Sequence, residues 1–287
     1  MTLKRLLHSW KGILIVFFAI IGWVSSMLTI TLAFWVNLLK YWYWWIYAVI
    51  FIAIILSFIL NWPKKYFEYK LKNKDVYIWV KIWNIFKWDG SSIIPINNKF
   101  DILQNWKTLK AKSVLNSFIL NHYDWSIEHL QQDINSKITV EKDTYEMWET
   151  VEINHKNKKF YLVVNSKVNS NSRSHSTKED FSKTITYLLD YLSTNADKDE
   201  IINIPLLNSW HWRISDLNRT DIIKEIIHFF IEMIKNKVIC DKFIIYIYPD
   251  DIRKWAIDME EIKKFLEYNA NNYRNINYNP ITEWTAI

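Results

Sequence analysis

Residues 204 to 214 read Ile-Pro-Leu-Leu-Asn-Ser-Trp-His-Trp-Arg-Ile, a β-like apolar stretch that turns at Asn208-Ser209 and heads into a helical pattern. Phosphates in such a turn are held by several backbone N–H donors at close range, commonly beside the N-terminus of the next helix. That geometry needs residues without bulky side chains. Ser209 offers a hydroxyl, Arg213 supplies charge, and Asp221 opens the following helical pattern. Trp210 and Trp212 would crowd a phosphate cradle, whereas glycine at both places would open it. His211 reads as a loop histidine before it reads as a catalyst.

Composition sharpens the conflict. The chain has 17 Trp and 3 Gly in 287 residues, and the two counts together match what glycine alone contributes to an average protein, about 7%. This predicts that many of the tryptophans are glycines in the living source, a recoded stop codon having been translated with the wrong table. The alternative is a chain that is truly rich in tryptophan.

Other chemistry is poorly represented. No Ser-His-Asp order, no paired carboxylates in a recognisable frame and no histidine cluster with metal spacing stands out. Asp89 and Asp101 flank a predicted strand, as solvated strand ends commonly do. The single cysteine, Cys240, excludes a disulfide framework and leaves no zinc spacing to argue from. The net charge of +6 is modest and lies largely beside the N-terminal apolar region, which argues for a membrane before nucleic acid. The expectation is a binding protein, not an enzyme, with no metal and no cofactor.

The elements that must position the loop fall into two parts. Residues 13–36 and 41–62 carry no ionisable side chain over lengths that span a hydrocarbon core of about 30 Å as helices, so residues 1–74 are predicted to be an anchor of two transmembrane helices. A signal peptide fits poorly, because the first run is too long and a second follows directly. Lys4, Arg5 and Lys11 precede the first run and Lys64, Lys65, Lys70, Lys72 and Lys74 follow the second, against Lys40 between them, which places both ends in the cytoplasm. Gly22 and Ser26, one turn apart, with Ser25, Thr29 and Thr31, form a face suited to helix association or merely tolerated in a plain anchor.

Residues 75–268 alternate short β-branched runs with longer amphipathic ones, the pattern of an α/β domain. Strands are predicted at 76–80, 93–96, 151–154, 160–164, 201–204 and 243–248, and helices at 109–122, 127–136, 178–192, 221–235 and 259–268. Ser176 with Glu179, and Asp258 with Glu261, have capping-box spacing. Residues 269–287 have no apolar period and read as a polar tail.

Three further stretches carry a resemblance. Val80 to Asp101, "VKIWNIFKWDGSSIIPINNKFD", is a strand closing on Trp83-Asn84-Ile85-Phe86 and a second strand ending in Asn97-Asn98; "YEMWETVEI" begins at Tyr145; and the 204–214 loop follows a late strand. In this order they resemble the macro domain, an ADP-ribose-binding fold of three α/β/α layers with a mixed sheet. With the N-terminal spans, the chain looks most like the membrane-anchored effector of Thoeris anti-phage defence.

What the resemblance implies is definite enough to test. Asn84 stands where macro domains usually have an Asp that accepts from the adenine amino group, and an amide oxygen can also accept; Ile85 and Phe86 follow it. Asn97 and Asn98 match the segment near the distal ribose, with Phe100 packing nearby. Ser113, Asn116, Ser117 and Phe118 fall at a small-residue phosphate segment, and Ser209, Trp210, His211, Trp212 and Arg213 at the pyrophosphate loop. For each Asn alone a turn residue satisfying local backbone is the simpler reading, and for Phe86, Phe100 and Phe118 it is core packing. The implied ligand is ADP-ribose or a conjugate of it, such as a histidine adduct, made by a TIR-domain enzyme that consumes NAD. The implied action is assembly into a homo-oligomer that disrupts the bacterial inner membrane, with both termini and the domain cytoplasmic. The alternatives are a membrane-tethered ADP-ribosyl hydrolase and a passive ADP-ribose-binding scaffold.

Overall fold

The computed structural model describes residues 14, 17–29, 42–60, 66–72, 74–87, 89–100, 102, 113–168, 174–207, 217–255 and 257–273. The chain divides into two compact units, Met1–Lys64 and Lys65–Ile287.

The first unit contains a helical run at residues 17–29 (α1) and the helix Trp42–Leu60 (α2). In α1, Ser26 Oγ donates to the Gly22 carbonyl at 2.9 Å and Thr29 Oγ1 to the Ser25 carbonyl at 2.8 Å, so both hydroxyls are taken up within their own helix. In α2, Ala53 and Ser57 are buried one turn apart while Phe51, Ile52, Ile54, Ile55 and Leu56 are exposed.

Among the described residues no helix is long and apolar enough to cross a membrane. This overturns the expected transmembrane pair at 13–36 and 41–62, and with it the placement in a bacterial inner membrane. A charge-free run reports hydropathy along the chain; it does not report how far one continuous helix extends.

The second unit is a mixed sheet with helices on both faces. Its strands are β1 (Tyr66–Lys70), β2 (Tyr77–Ile82), β3 (Ser91–Asn97), β4 (Thr150–His155), β5 (Lys158–Val168), β6 (Ser174–His175), β7 (Ile201–Pro205) and β8 (Lys242–Ile247). The order across the sheet is β1-β2-β8-β7-β3-β5-β4, with the short β6 paired to β5 off that path. β2, β8, β7, β3 and β5 run parallel, and β1 and β4 close the two edges in antiparallel register. Parallel strands are buried on both faces and therefore read as continuous apolar runs, as in "FIIYI" of β8.

Residues of alternate parity face opposite cores. Val80, Ile93, Tyr161, Val163, Ile202, Ile204, Phe243 and Ile245 pack with α5 (Lys178–Asn195), α6 (Arg219–Asn236) and α8 (Met259–Asn271). Ile94, Ile96, Phe160, Leu162 and Val164 pack with α3 (Val114–His122) and α4 (Ile127–Lys137). A short α7 (Pro249–Trp255) follows β8. Cys240 is fully buried in the first of these cores, and burial pushes its thiol pKa far up.

Local chemistry sets the helix ends. The capping box of α5 is built by Thr177 and Asp180, not by Ser176 and Glu179 as predicted, because Ser176 is itself buried one position upstream. Asp258 does cap α8, accepting from the N–H groups of Glu260 and Glu261. The polar tail beyond Tyr273 lies outside the described residues.

Candidate functional site

In an open parallel sheet, ligands bind in the crevice beyond the carboxyl ends of the strands. Here five parallel strands end on one rim, and the two asparagine turns expected from the sequence lie on it, at the exits of β2 and β3.

After β2 the chain closes tightly. The Trp83 N–H donates to the Ile247 carbonyl at 3.1 Å, tying the β2 exit to the end of β8. Asn84 Oδ1 accepts the Phe86 N–H at 3.0 Å and the Asn84 carbonyl accepts the Lys87 N–H at 3.2 Å, shaping the single 3-10 turn Ile85–Lys87. Ile85 is buried against Ile244 and Tyr246. Phe86 stacks on Phe118 with ring centroids 6.1 Å apart, so it is shared between rim and core. The carbonyl oxygen of Asn84 thus already has a backbone partner and keeps one lone pair for a ligand.

The exit of β3 is a second asparagine turn. Asn97 Oδ1 accepts the Lys99 N–H at 3.0 Å. The buried Asn98 donates its N–H to the Ser166 carbonyl at 2.9 Å, accepts the Tyr145 N–H at its own carbonyl at 2.7 Å, and accepts the Val168 N–H at Oδ1 at 3.0 Å. One residue therefore joins the ends of β3 and β5 to the segment before β4. Phe100, at φ +49°, points away from solvent: it is 1% exposed and meets Tyr145 edge-on at 4.9 Å. It is a core residue beneath the rim.

Ser113 is the N-cap of α3, its Oγ accepting the Asn116 N–H at 3.0 Å. Ser117 lies in the first turn of α3, half-buried, its N–H donating to the Ser113 carbonyl. Phe118 is fully buried, 4.7 Å from Phe160. Ser209, Trp210, His211, Trp212 and Arg213 lie outside the described residues, but the posts on either side of them are well defined. Leu206 donates its N–H to the Tyr246 carbonyl at 3.2 Å, and Asn218 caps α6 by accepting the Asp221 N–H at 2.9 Å. Just inside α6, Arg219 pairs with Asp251 at 2.8 Å with both groups nearly buried, and Thr220 Oγ1 accepts the Asp258 N–H at 3.0 Å.

Several rim residues carry polar atoms buried without a hydrogen-bond partner: Asn116 Oδ1, Ser166 Oγ and Tyr246 Oη. Burial raises the Tyr246 hydroxyl well above the usual phenol range. Ser166 and Tyr246 were not singled out from the sequence, although a signal existed in "FYLVVNS", where an apolar strand ends on two polar residues. Asp180 is pulled up by burial, but the Lys167 ammonium at 3.0 Å and the Thr177 backbone outweigh this and hold its carboxyl below the usual range. Among the described residues no group of three or more His, Cys, Asp or Glu could hold a metal ion.

Among solved structures, an Oceanobacillus iheyensis macrodomain mutant is 11% identical with a TM-score of 0.49, covering 70% of this chain and 99% of its own. A second mutant of that macrodomain, solved with ADPR, is 11% identical with a TM-score of 0.48, covering 70% and 100%. The same macrodomain with ADP gives 11% identity and a TM-score of 0.46, covering 71% and 100%. No curated protein matches the chain. Residues 78–248, from β2 to just past β8, match the family described as Thoeris protein ThsA, Macro domain. That match takes in more than half of the sequence, and the chain belongs to the Thoeris ThsA macro-domain family.

Proposed function

We propose that the chain is a sensor in anti-phage defence whose rim binds a nucleotide signal related to ADP-ribose. The observation that carries this reading is the convergence on one rim of the Asn84 turn, the Asn97-Asn98 turn and the exit of β7, where the Leu206 N–H donates to the Tyr246 carbonyl. A nucleoside diphosphate sugar needs polar groups at separated points, with main-chain donors between them for the phosphates. The asparagine turns stand on either side of the β7 exit. The macrodomain mutant solved with ADPR supports the ligand class.

The signal is a product of NAD cleavage by a TIR-domain enzyme, and its binding shifts the chain towards a homo-oligomer by favouring that state. Isothermal titration calorimetry of the full chain against ADP-ribose, its histidine conjugate and NAD tests the reading. Saturable heat with one of the first two, together with a larger species in light scattering, is the expected result. Silence from all three overturns it, and steady turnover of ADP-ribosylated protein would assign a hydrolase instead.

A further inference from the structure

Tryptophan is large and on average highly buried, yet no tryptophan with a described side chain is among the buried residues of the core, although Trp148 and Trp79 pack against its margins. Trp23 is 65% exposed, Trp125 49% and Trp83 40%, and Trp79 and Trp148 are half-buried. The buried apolar set is built instead from Ile, Leu, Val, Phe and Tyr.

The backbone at two of these positions is more specific. Trp148 has φ +88°. The Glu149 N–H donates to the Glu146 carbonyl at 3.1 Å, so Trp148 is the third residue of a tight turn, the place where a type II turn requires positive φ and takes glycine. Trp148 also donates its N–H to the Val164 carbonyl at 2.9 Å, while the Val164 N–H donates to the Glu149 carbonyl at 3.0 Å. Two residues thus oppose one, with the first at positive φ, which is the glycine position of a G1 bulge. The turn and the bulge both favour glycine at this one position.

Trp125 repeats the conflict at a helix end. It has φ +67°, a left-handed conformation that glycine adopts without cost, and its N–H reaches back to the Ile119 carbonyl at 3.4 Å; Asp124, at φ +49°, stands between it and the C-cap Tyr123. Gly90, at φ +99°, shows what this chain does where glycine is written: a Cβ there would lie 2.4 Å from the Ile201 carbonyl oxygen. Trp79 behaves differently. It lies in β2 with ordinary strand backbone, stacks on Tyr66 at 6.4 Å and carries the Lys81 ammonium 4.1 Å from its ring centroid, so its indole is used with no backbone conflict.

We infer that positions 125 and 148 are glycine in the natural protein, encoded by a recoded stop codon, whereas Trp79 is a genuine tryptophan. The inference holds whatever the rim binds. The turn concerned is joined to the rim by the Tyr145 N–H, which donates to the Asn98 carbonyl.

Peptide mapping by mass spectrometry of protein isolated from its source decides the matter. Peptides across 125 and 148 lighter by one tryptophan-to-glycine difference each, beside an unaltered peptide across 79, are the expected result; tryptophan at both 125 and 148 overturns the inference. A recombinant test reads the backbone itself. Trp148→Gly should raise the melting temperature of the tryptophan-containing chain while Trp148→Ala should not, since alanine keeps a Cβ at φ +88° and loses the 4.4 Å stacking on Tyr187 equally. A melting temperature that falls equally in both variants shows that the indole stabilises the site and defeats the inference.

Discussion

The side-chain oxygen of Asn98 accepts the main-chain N–H of Val168 at 3.0 Å, pinning the exit of β3 to the end of β5 across a buried contact. Removing that acceptor strands a buried donor, which costs about 1–3 kcal/mol. Asn98→Ala should therefore lower the unfolding free energy obtained from urea titration by that amount, and Asn98→Asp, which keeps an oxygen in place, should recover part of the loss. Under the proposed function, calorimetry should also find weaker nucleotide binding in the alanine variant, because the rim segments it joins are no longer held together.

His122 sets an acid limit on stability. Burial, reinforced by the nearby Lys158, His155 and Lys156, lowers its pKa to about 4, and its ring sits among Phe86, Phe118 and Phe160. Folded, it stays neutral where the unfolded chain, near 6.5, takes up a proton. Its contribution is complete above about pH 6.5, shrinks as pH falls towards 4, and amounts to at most about 3 kcal/mol. His122→Phe should flatten the stability profile between pH 6.5 and 4.5, measured by urea titration at each pH.

Phe100 separates core from ligand contact. Fully enclosed against Tyr145 beneath the rim, it should cost about 3–5 kcal/mol when cut to alanine. Phe100→Leu should keep most of the stability and leave nucleotide affinity unchanged. A selective loss of affinity in the leucine variant, at unchanged melting temperature, would place the ring in the binding surface instead.

Arg219 and Asp251 test how the entry to α6 is held. The pair is 2.8 Å apart and nearly buried on both sides, so removing one partner leaves a charge in a poorly hydrated place and costs about 3–5 kcal/mol. Asp251→Ala should show that loss in thermal unfolding. The double variant Arg219→Met, Asp251→Leu should regain most of it.

Thr177 offers a smaller, local test. Its hydroxyl accepts the Asp180 N–H at 3.0 Å and Asp180 returns the bond to the Thr177 N–H at 3.1 Å. Thr177→Ala should cost about 1 kcal/mol, whereas Ser176→Ala should not weaken this cap. Chemical denaturation of the two single variants distinguishes the positions.

How much of this was legible in the sequence depends on what each residue reports. The parallel strands were legible because burial on both faces leaves apolar runs, as in "IINIP" of β7, and the long amphipathic helices were legible from their period. β1 was missed because "YFEYK" sits amid lysines that were read as the flank of a membrane span. The start of α3 was placed too early, at Leu109, because no pattern announced Ser113 as its cap. At the site, the two asparagine turns could be read from residue type, since short amides bond their own backbone two residues on. The depth of Phe100 could not, since an aromatic ring suits a core and a binding surface equally well. Nor could the clamp made by Asn98, whose partners at 145, 166 and 168 meet only through sheet order.

The fully enclosed sulfur of Cys240 has a practical outcome. It is the one thiol in the sequence, and burial keeps it from forming the thiolate that alkylating reagents attack. The folded chain is therefore a blank background for maleimide dyes. A cysteine placed at exposed Lys99, between the asparagine turn and Phe100, would take a single fluorophore next to the crevice, so that occupancy could be followed by light without altering the fold beneath.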